Sequence, residues 1–358
     1  MSLKSVVYRN ARLSNLYPSV YKGLARIAGV PLKYQLELTT ACNLVCPFCT
    51  HKDLKEKPKM MTLEHVKGVY KSIEKELPSP FFKRFLLFNL TGIGEILINR
   101  ETFDIIEFLK KEGAIVTFTD NFTLMRESAV RRLIDLKVDN IFVSFDGATK
   151  KTYEAMRVGA KFEDVVSNVR RFTEVKKELG VDLPNVNMRF VPTSENINEL
   201  PSLVDLADSM GISYIDIPPL YVVDKVNTPL KALDEDFQRF KKEALKKAKE
   251  KNMILSFSNP FVNELKQPIR KCSMSQNSMY IDASGFVLPC CVITQMGDYE
   301  AIVRNFNQGN VIADGVKAVW SSKKYSDFRK AIREDKTPQM CTMCDLYYGS
   351  PLTTGSKI

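Results

Sequence analysis

The chain contains no uninterrupted apolar run approaching the roughly 18 residues of a membrane-spanning helix. Its first ten residues, MSLKSVVYRN, are charged and lack the apolar stretch of a secretory signal. These absences predict a cytoplasmic protein with no membrane span. Internal repeats and low-complexity segments are missing too. So are an RNA-recognition signature and an arginine-rich stripe, which makes nucleic acid an unexpected partner. Cysteine is absent from Thr50 to Lys271, a gap that matters because the rest of the chain holds eight.

What is present fits a soluble, mixed protein. The 358 residues are enough for one large domain and a smaller one, and a 44% hydrophobic share allows a sizeable core. Lys and Arg number 52 against 42 Asp and Glu, a formal charge of +10. Such an excess reads as a lysine-rich solvated surface, or as the mark of an anionic partner. In a cytosolic chain of this size, clustered cysteines point to metal or redox chemistry before disulfides. One group is Cys42, Cys46 and Cys49; the other is Cys272, Cys290, Cys291, Cys341 and Cys344.

Between Tyr34 and Ile217 strand-like and helix-like segments alternate. The predicted strands are Tyr34–Thr39, Arg84–Leu90, Ala114–Thr119, Asn140–Phe145, Val186–Val191 and Ser213–Ile217. Amphipathic stretches separate them: Leu63–Glu76, Thr102–Lys111, Glu127–Leu136, Phe162–Leu179 and Ile197–Met210. Six βα units in series predict an α/β fold, a partial (β/α)6 TIM-like barrel with its chemistry at the C-terminal ends of the strands. The expected organisation is a basic N-terminal arm over 1–31, the barrel over 32–225, a linker helix within 226–254 and a small cysteine-rich domain over 255–358.

The segment Leu38–Asp53 reads LTTACNLVCPFCTHKD and holds Cys42-x3-Cys46-x2-Cys49 directly after the first predicted strand. Three thiolates on one tight loop can hold three irons of a 4Fe–4S cluster and leave the fourth iron open. A zinc knuckle completed by His51 is the bland alternative, although His51 lies only two residues past Cys49.

This loop resembles the signature of the radical S-adenosylmethionine (SAM) superfamily, in which an aromatic residue, here Phe48, precedes the last cysteine. The resemblance implies that the open iron chelates the amino and carboxylate groups of SAM. Reductive cleavage of the sulfonium then releases a 5′-deoxyadenosyl radical that abstracts hydrogen. It further implies SAM contacts at later strand ends. Thr91-Gly92-Ile93-Gly94-Glu95 is similar to a Gly-Gly-Glu motif, with Gly92, Gly94 and Glu95 as the matches and Ile93 and Ile96 as departures. Asn121 sits in a TTNG-like segment in which Phe122 replaces the glycine. Ser144 belongs to an S-x-D-G match whose Asp146 is alternatively a turn cap. Arg189 occupies a position that can meet the SAM carboxylate.

Cys272, Cys290, Cys341 and Cys344 form a second constellation, C-x12-G-x4-C with Gly285 in it, followed by a C-x2-C pair. Four such thiols can enclose one cluster or a structural zinc. The pattern resembles the SPASM/twitch auxiliary-cluster domains. No cysteine follows Cys344, so only one auxiliary 4Fe–4S cluster is expected, closer to the twitch form or to an abbreviated SPASM domain. Cys291 is left over: a small buried hydrophobe, a hydrogen-atom donor, or a substitute for Cys290 as ligand.

The resulting expectation is a radical SAM oxidoreductase. Its auxiliary cluster would accept an electron in a two-electron oxidation, a dehydrogenation or a cross-link. A redox-neutral epimerase using Cys291 is the rival, and a non-catalytic zinc scaffold is a further one. The expected partners are a small-molecule, carbohydrate or peptide substrate and a flavodoxin- or ferredoxin-like electron donor. No N-terminal peptide-recognition domain is evident in the sequence.

Overall fold

The protein is described by a computed structural model. It covers residues 23–218, 235–257, 272, 274–295, 297–334, 336, 338 and 341. Most of the expected N-terminal arm, and Cys344, lie outside these residues. Residues 23–28 of the arm are helical, with Ala28 and Val30 buried.

All six predicted strands form. They are β1 (Lys33–Leu36), β2 (Leu87–Asn89), β3 (Ile115–Asp120), β4 (Asn140–Ser144), β5 (Asn185–Arg189) and β6 (Tyr214–Ile217), paired in sequence order and all parallel. The helices between them are α1 (Leu63–Glu74), α2 (Thr102–Lys111), α3 (Glu127–Asp135), α4 (Lys150–Met156), α5 (Phe162–Glu178) and α6 (Leu200–Ser209). Helix α1 shows why the register holds. Thr62 caps it by accepting the His65 amide at 3.2 Å, and His65 Nδ1 accepts the Thr62 amide in return. Val66, Val69, Tyr70 and Ile73 then recur on one face and are all buried.

Two features differ from the expected division. Helix α7 (Glu235–Glu250), expected as a link between domains, is the crossover into a seventh parallel strand, β7 (Ile254–Phe257), paired with β6. Phe237, Ala244 and Ala248 form a buried stripe inside a heavily charged sequence, and Lys247 bonds Asp205 of α6 at 2.6 Å. The charge masks the stripe in the sequence. Beyond it, β8 (Ser278–Ile281) pairs parallel with β1, and β9 (Val287–Leu288) pairs antiparallel with β8. One nine-stranded sheet therefore runs from the barrel into the cysteine-rich part, in the order β7-β6-β5-β4-β3-β2-β1-β8-β9. Helices α8 (Tyr299–Phe306), α9 (Val316–Ser321) and α10 (Lys323–Arg333) follow. No helix among the described residues is long and apolar enough to cross a membrane.

Candidate active site

Parallel pairing brings the C-terminal ends of β1 to β6 to one rim. Cys42, Cys46 and Cys49 lie on the loop after β1, with Cys46 buried and the other two half-buried. The loop is pinned by backbone bonds, Cys49 N to Cys46 O at 3.1 Å and Val45 N to Val158 O at 2.9 Å. Burial pushes the Cys42 thiol up to about 12 and the Cys49 thiol to about 11, so bare thiolates are disfavoured until cations arrive. Arg157 supplies one local charge. Its Nη1 donates to Cys46 Sγ at 3.8 Å, and it lies 5.2 Å from the Phe48 ring centre.

Arg157 is itself ion-paired to Asp146, which is fully buried. The other Asp146 oxygen accepts the Val191 amide at 2.7 Å. Asp146 is thus a brace between β4, β5 and the cysteine loop and does not cap its own turn. That capping place is taken by Glu199, which accepts the Ala148 and Thr149 amides at 2.6 and 3.0 Å.

The loop after β2 is pressed onto β1. A Cβ on Gly92 would sit 2.2 Å from Glu37 Cγ, and one on Gly94 would sit 2.3 Å from the Thr39 carbonyl oxygen. Glycine at both places lets Glu95 enter the barrel mouth, where it is 5% exposed. Its Oε2 accepts the Asn121 amide at 2.9 Å, while Oε1 has no hydrogen-bond partner. Asp120 at the end of β3 matches it, with Oδ1 on the Phe122 amide at 2.6 Å and Oδ2 unpartnered. Burial first, then the Asp120 carboxylate, holds the Glu95 carboxyl well above the usual range, and burial raises Asp120 too. The two carboxyls face each other closely enough for a protonated Glu95 to donate to Asp120, so the pair is held by one proton or by an incoming cation.

The remaining predicted contacts stand around this pair. Asn121 Nδ2 donates to Asn43 Oδ1 of the cysteine loop at 3.0 Å, and its Oδ1 accepts from Thr123. Phe122 has φ 61°, the left-handed conformation that a glycine would take freely. Its full burial, with the ring 6.0 Å from Phe172 and its carbonyl bonded to Asn168 at 2.8 Å, offsets that strain. Ser144 is buried at the end of β4, level with Arg189 on β5. Arg189 is no surface arginine. Nε bonds Asp216 at 2.9 Å and Nη1 bonds Thr119 at 2.8 Å, so an incoming carboxylate would share its donors with both.

Of the second constellation, Cys272, Cys290 and Cys341 are described, and all three pack with Cys291 around Val292 and Ile332. Residues some 70 positions apart thus meet. Gly285, at φ 87°, turns the β8–β9 hairpin that carries Cys290. Cys290 and Cys291 also border a second apolar cluster that includes Ile93 and Leu54 of the barrel rim. The departure at Ile93 is explained there, because its side chain anchors the rim loop to the C-terminal part. No three Cys, His, Asp or Glu side chains among the described residues are placed to share one metal ion.

Sequence reasoning missed Arg157, Asp120, Asn43 and Glu37. Glu37 has no exposed surface and accepts Tyr299 at 2.5 Å, Tyr280 at 2.7 Å and the Ile93 amide at 2.9 Å, tying rim to C-terminal part. A carboxylate inside an apolar strand was the available signal.

Comparisons with known proteins bear on the family and the fold. A family model for the radical SAM superfamily matches residues 36–207, and one for an iron–sulfur cluster-binding domain, SPASM, matches 272–345. The tungsten-containing aldehyde ferredoxin oxidoreductase cofactor-modifying protein of Pyrococcus furiosus is 25% identical over 325 residues, 88% of each chain. Mycofactocin maturase MftC of Mycolicibacterium smegmatis is 21% identical, covering 91% of this chain and 79% of that one. Among solved structures, Streptococcus suis SuiB bound to its precursor peptide SuiA has a TM-score of 0.66 at 16% identity, over 88% of this chain and 71% of that one. These domains bind a 4Fe–4S cluster with SAM and auxiliary iron–sulfur clusters respectively.

Proposed function

Because the chain belongs to the radical SAM superfamily and carries a C-terminal SPASM-type domain, we propose that it removes two electrons from a substrate held between the barrel rim and the C-terminal part. A peptide or cofactor precursor is the favoured substrate class. When bound, SAM on the reduced cluster supplies a 5′-deoxyadenosyl radical as hydrogen abstractor. Cys42, Cys46 and Cys49 would ligate that cluster, and Arg157 would steady Cys46. Glu95 Oε1 would take the SAM ammonium, with Asp120 beside it. Asn121 would hold the ribose side, while Ser144 and Arg189 line the mouth.

The observation that carries the oxidation is the place of Cys290. It touches both the apolar cluster holding Ile93 and the one holding Cys272 and Cys341. An electron acceptor ligated by Cys272, Cys290, Cys341 and Cys344 would then stand next to the rim. The substrate would give up a hydrogen atom, then one electron to that acceptor and one proton to solvent. The peptide or cofactor-precursor class is suggested by the names of a cofactor-modifying relative and of SuiB bound to its precursor peptide, and the +10 charge suits an acidic flavodoxin- or ferredoxin-like donor. The division into a SAM part over 32–225 and a cluster part over 255–358 is kept as a chemical one, since the sheet is continuous.

Cys291 makes an epimerase the second reading, because it borders the same two clusters. Turnover in deuterated water separates the two. Oxidation predicts no solvent deuterium in the product and tolerance of Cys291→Ser. Deuterium at an inverted carbon, lost in Cys291→Ser, would make the protein an epimerase.

A further inference from the structure

Two buried donors in the C-terminal part have no acceptor. Tyr325, with no exposed surface, has an unpartnered hydroxyl, and Arg329, 8% exposed, has an unpartnered Nη1. Both lie on α10. The other Arg329 amino group is fixed, Nη2 bonding the Trp320 carbonyl at 2.6 Å and Ser326 Oγ at 3.3 Å. Its guanidinium carbon lies 3.8 Å from the Trp320 ring centre and 4.5 Å from that of Tyr325. Among the described residues no carboxylate takes part. Burial disfavours the Arg329 charge first, Tyr325 favours it, and Arg333, of the same sign, opposes it. A buried guanidinium without counter-charge is costly, and so is each buried donor without an acceptor.

The missing anion has a place. Phe328 and Ile332, on the same helix, pack with Cys272, Cys290 and Cys341. The Tyr325 ring centre lies 6.4 Å from that of Phe328, which belongs to the same cluster as these cysteines. Arg329, Arg333 and Arg26 line a cavity of about 420 Å³ together with Cys272, Gln276 and Trp320, and no acidic residue lines it. A four-thiolate 4Fe–4S cluster is anionic and gains one negative charge on reduction. Hydrogen bonds and positive charge beside its sulfurs therefore favour the reduced form.

We propose that the Tyr325 hydroxyl and the Arg329 guanidinium are donors to the auxiliary cluster and raise its reduction potential, fitting it to accept the substrate's electron. The inference rests on the reading that Cys272, Cys290, Cys341 and Cys344 hold that cluster. Both residues act through the cluster and are positioning residues.

The test uses the full-length chain with Cys42, Cys46 and Cys49 replaced by Ala, so that only the auxiliary cluster remains. Its midpoint potential is read by anaerobic redox titration monitored by electron paramagnetic resonance. Arg329→Met shifts the potential to more negative values, Tyr325→Phe shifts it the same way by less, and Arg329→Lys retains most of the parent value. Parent potentials in both Arg329→Met and Tyr325→Phe would overturn the proposal. Should Arg329→Met fail to retain iron, Tyr325→Phe and Arg329→Lys decide it, and an unmoved Tyr325→Phe overturns it. Zinc in place of iron in the unsubstituted background would remove the cluster reading, and the inference with it.

Discussion

At the first cysteine loop the nearby guanidinium, Arg157, is ion-paired to Asp146; at the second, Arg329 has no acid beside it among the described residues. The unpartnered buried atoms differ too. Near the first loop they include the carboxylate oxygens Glu95 Oε1 and Asp120 Oδ2 as well as His51 Nδ1 and the Tyr153 hydroxyl; in the second region they include Tyr325 Oη and Arg329 Nη1 as well as Gln308 Oε1. The first region keeps a buried carboxyl pair and the second a buried guanidinium, so the two place different demands on whatever binds there.

The largest expected effect tests whether the two regions hold separate clusters. With Cys42, Cys46 and Cys49 changed together to Ala, iron falls from about eight to about four per chain if both clusters are 4Fe–4S. SAM cleavage, followed by 5′-deoxyadenosine release, stops. Surviving cleavage would mean that the other region carries the chemistry.

Next comes the arginine pair. Arg157→Met strands the buried Asp146 carboxylate and costs roughly 3–5 kcal/mol, read by denaturant unfolding of the cofactor-free chain. Arg329→Met strands no charge and costs clearly less. Equal losses would erase the contrast between the sites.

Glu95→Ala lowers SAM affinity more than tenfold, since a charge-assisted hydrogen bond contributes about 1.5–3 kcal/mol; calorimetry reads it. Without SAM the sign reverses. The Glu95 carboxyl is raised in the fold, so its contribution to stability is complete below its unfolded value near 4.5 and is lost as pH climbs through the folded value. The cofactor-free protein therefore loses stability from that contribution as pH rises above the ordinary carboxylate range. Glu95→Gln flattens the trend in thermal melts across pH, and an unchanged trend would assign it to other groups.

The smallest effect concerns the seam between the regions. Thr50, next to Cys49, donates to the Thr294 carbonyl at 2.9 Å, and Thr294 donates to the Cys291 carbonyl at 2.7 Å. Thr50→Val removes one buried bond, costs about 1 kcal/mol and raises hydrogen exchange around 291–295 with the barrel unchanged. Uniform exchange would show that the seam is held elsewhere.

The first site was largely legible because its ligands lie within eight residues on a loop whose place after β1 follows from strand alternation. Phe48, Gly94 and Glu95 could be singled out for the same local reason, and the structure places Glu95 buried at the rim. Arg157 was not, since nothing near residue 157 announces that helix α4 carries it back to Cys46 and Phe48. The linker expected at α7 failed because its charge conceals a stripe of Phe237, Ala244 and Ala248, visible only once α6 packs on it.

By itself the sequence determined the run of parallel βα units, the three-thiol loop and the presence of a second cysteine set, because these depend on periodicity and short spacing. Only tertiary structure decided that β8 joins the barrel sheet beside β1 and that Cys272, Cys290 and Cys341 share one apolar cluster. It alone also decided that Glu95 faces Asp120 while Arg329, among the described residues, faces no acid. Such pairings depend on which distant surfaces bury one another, and the energy of a buried charge is set by neighbours that sequence order does not name.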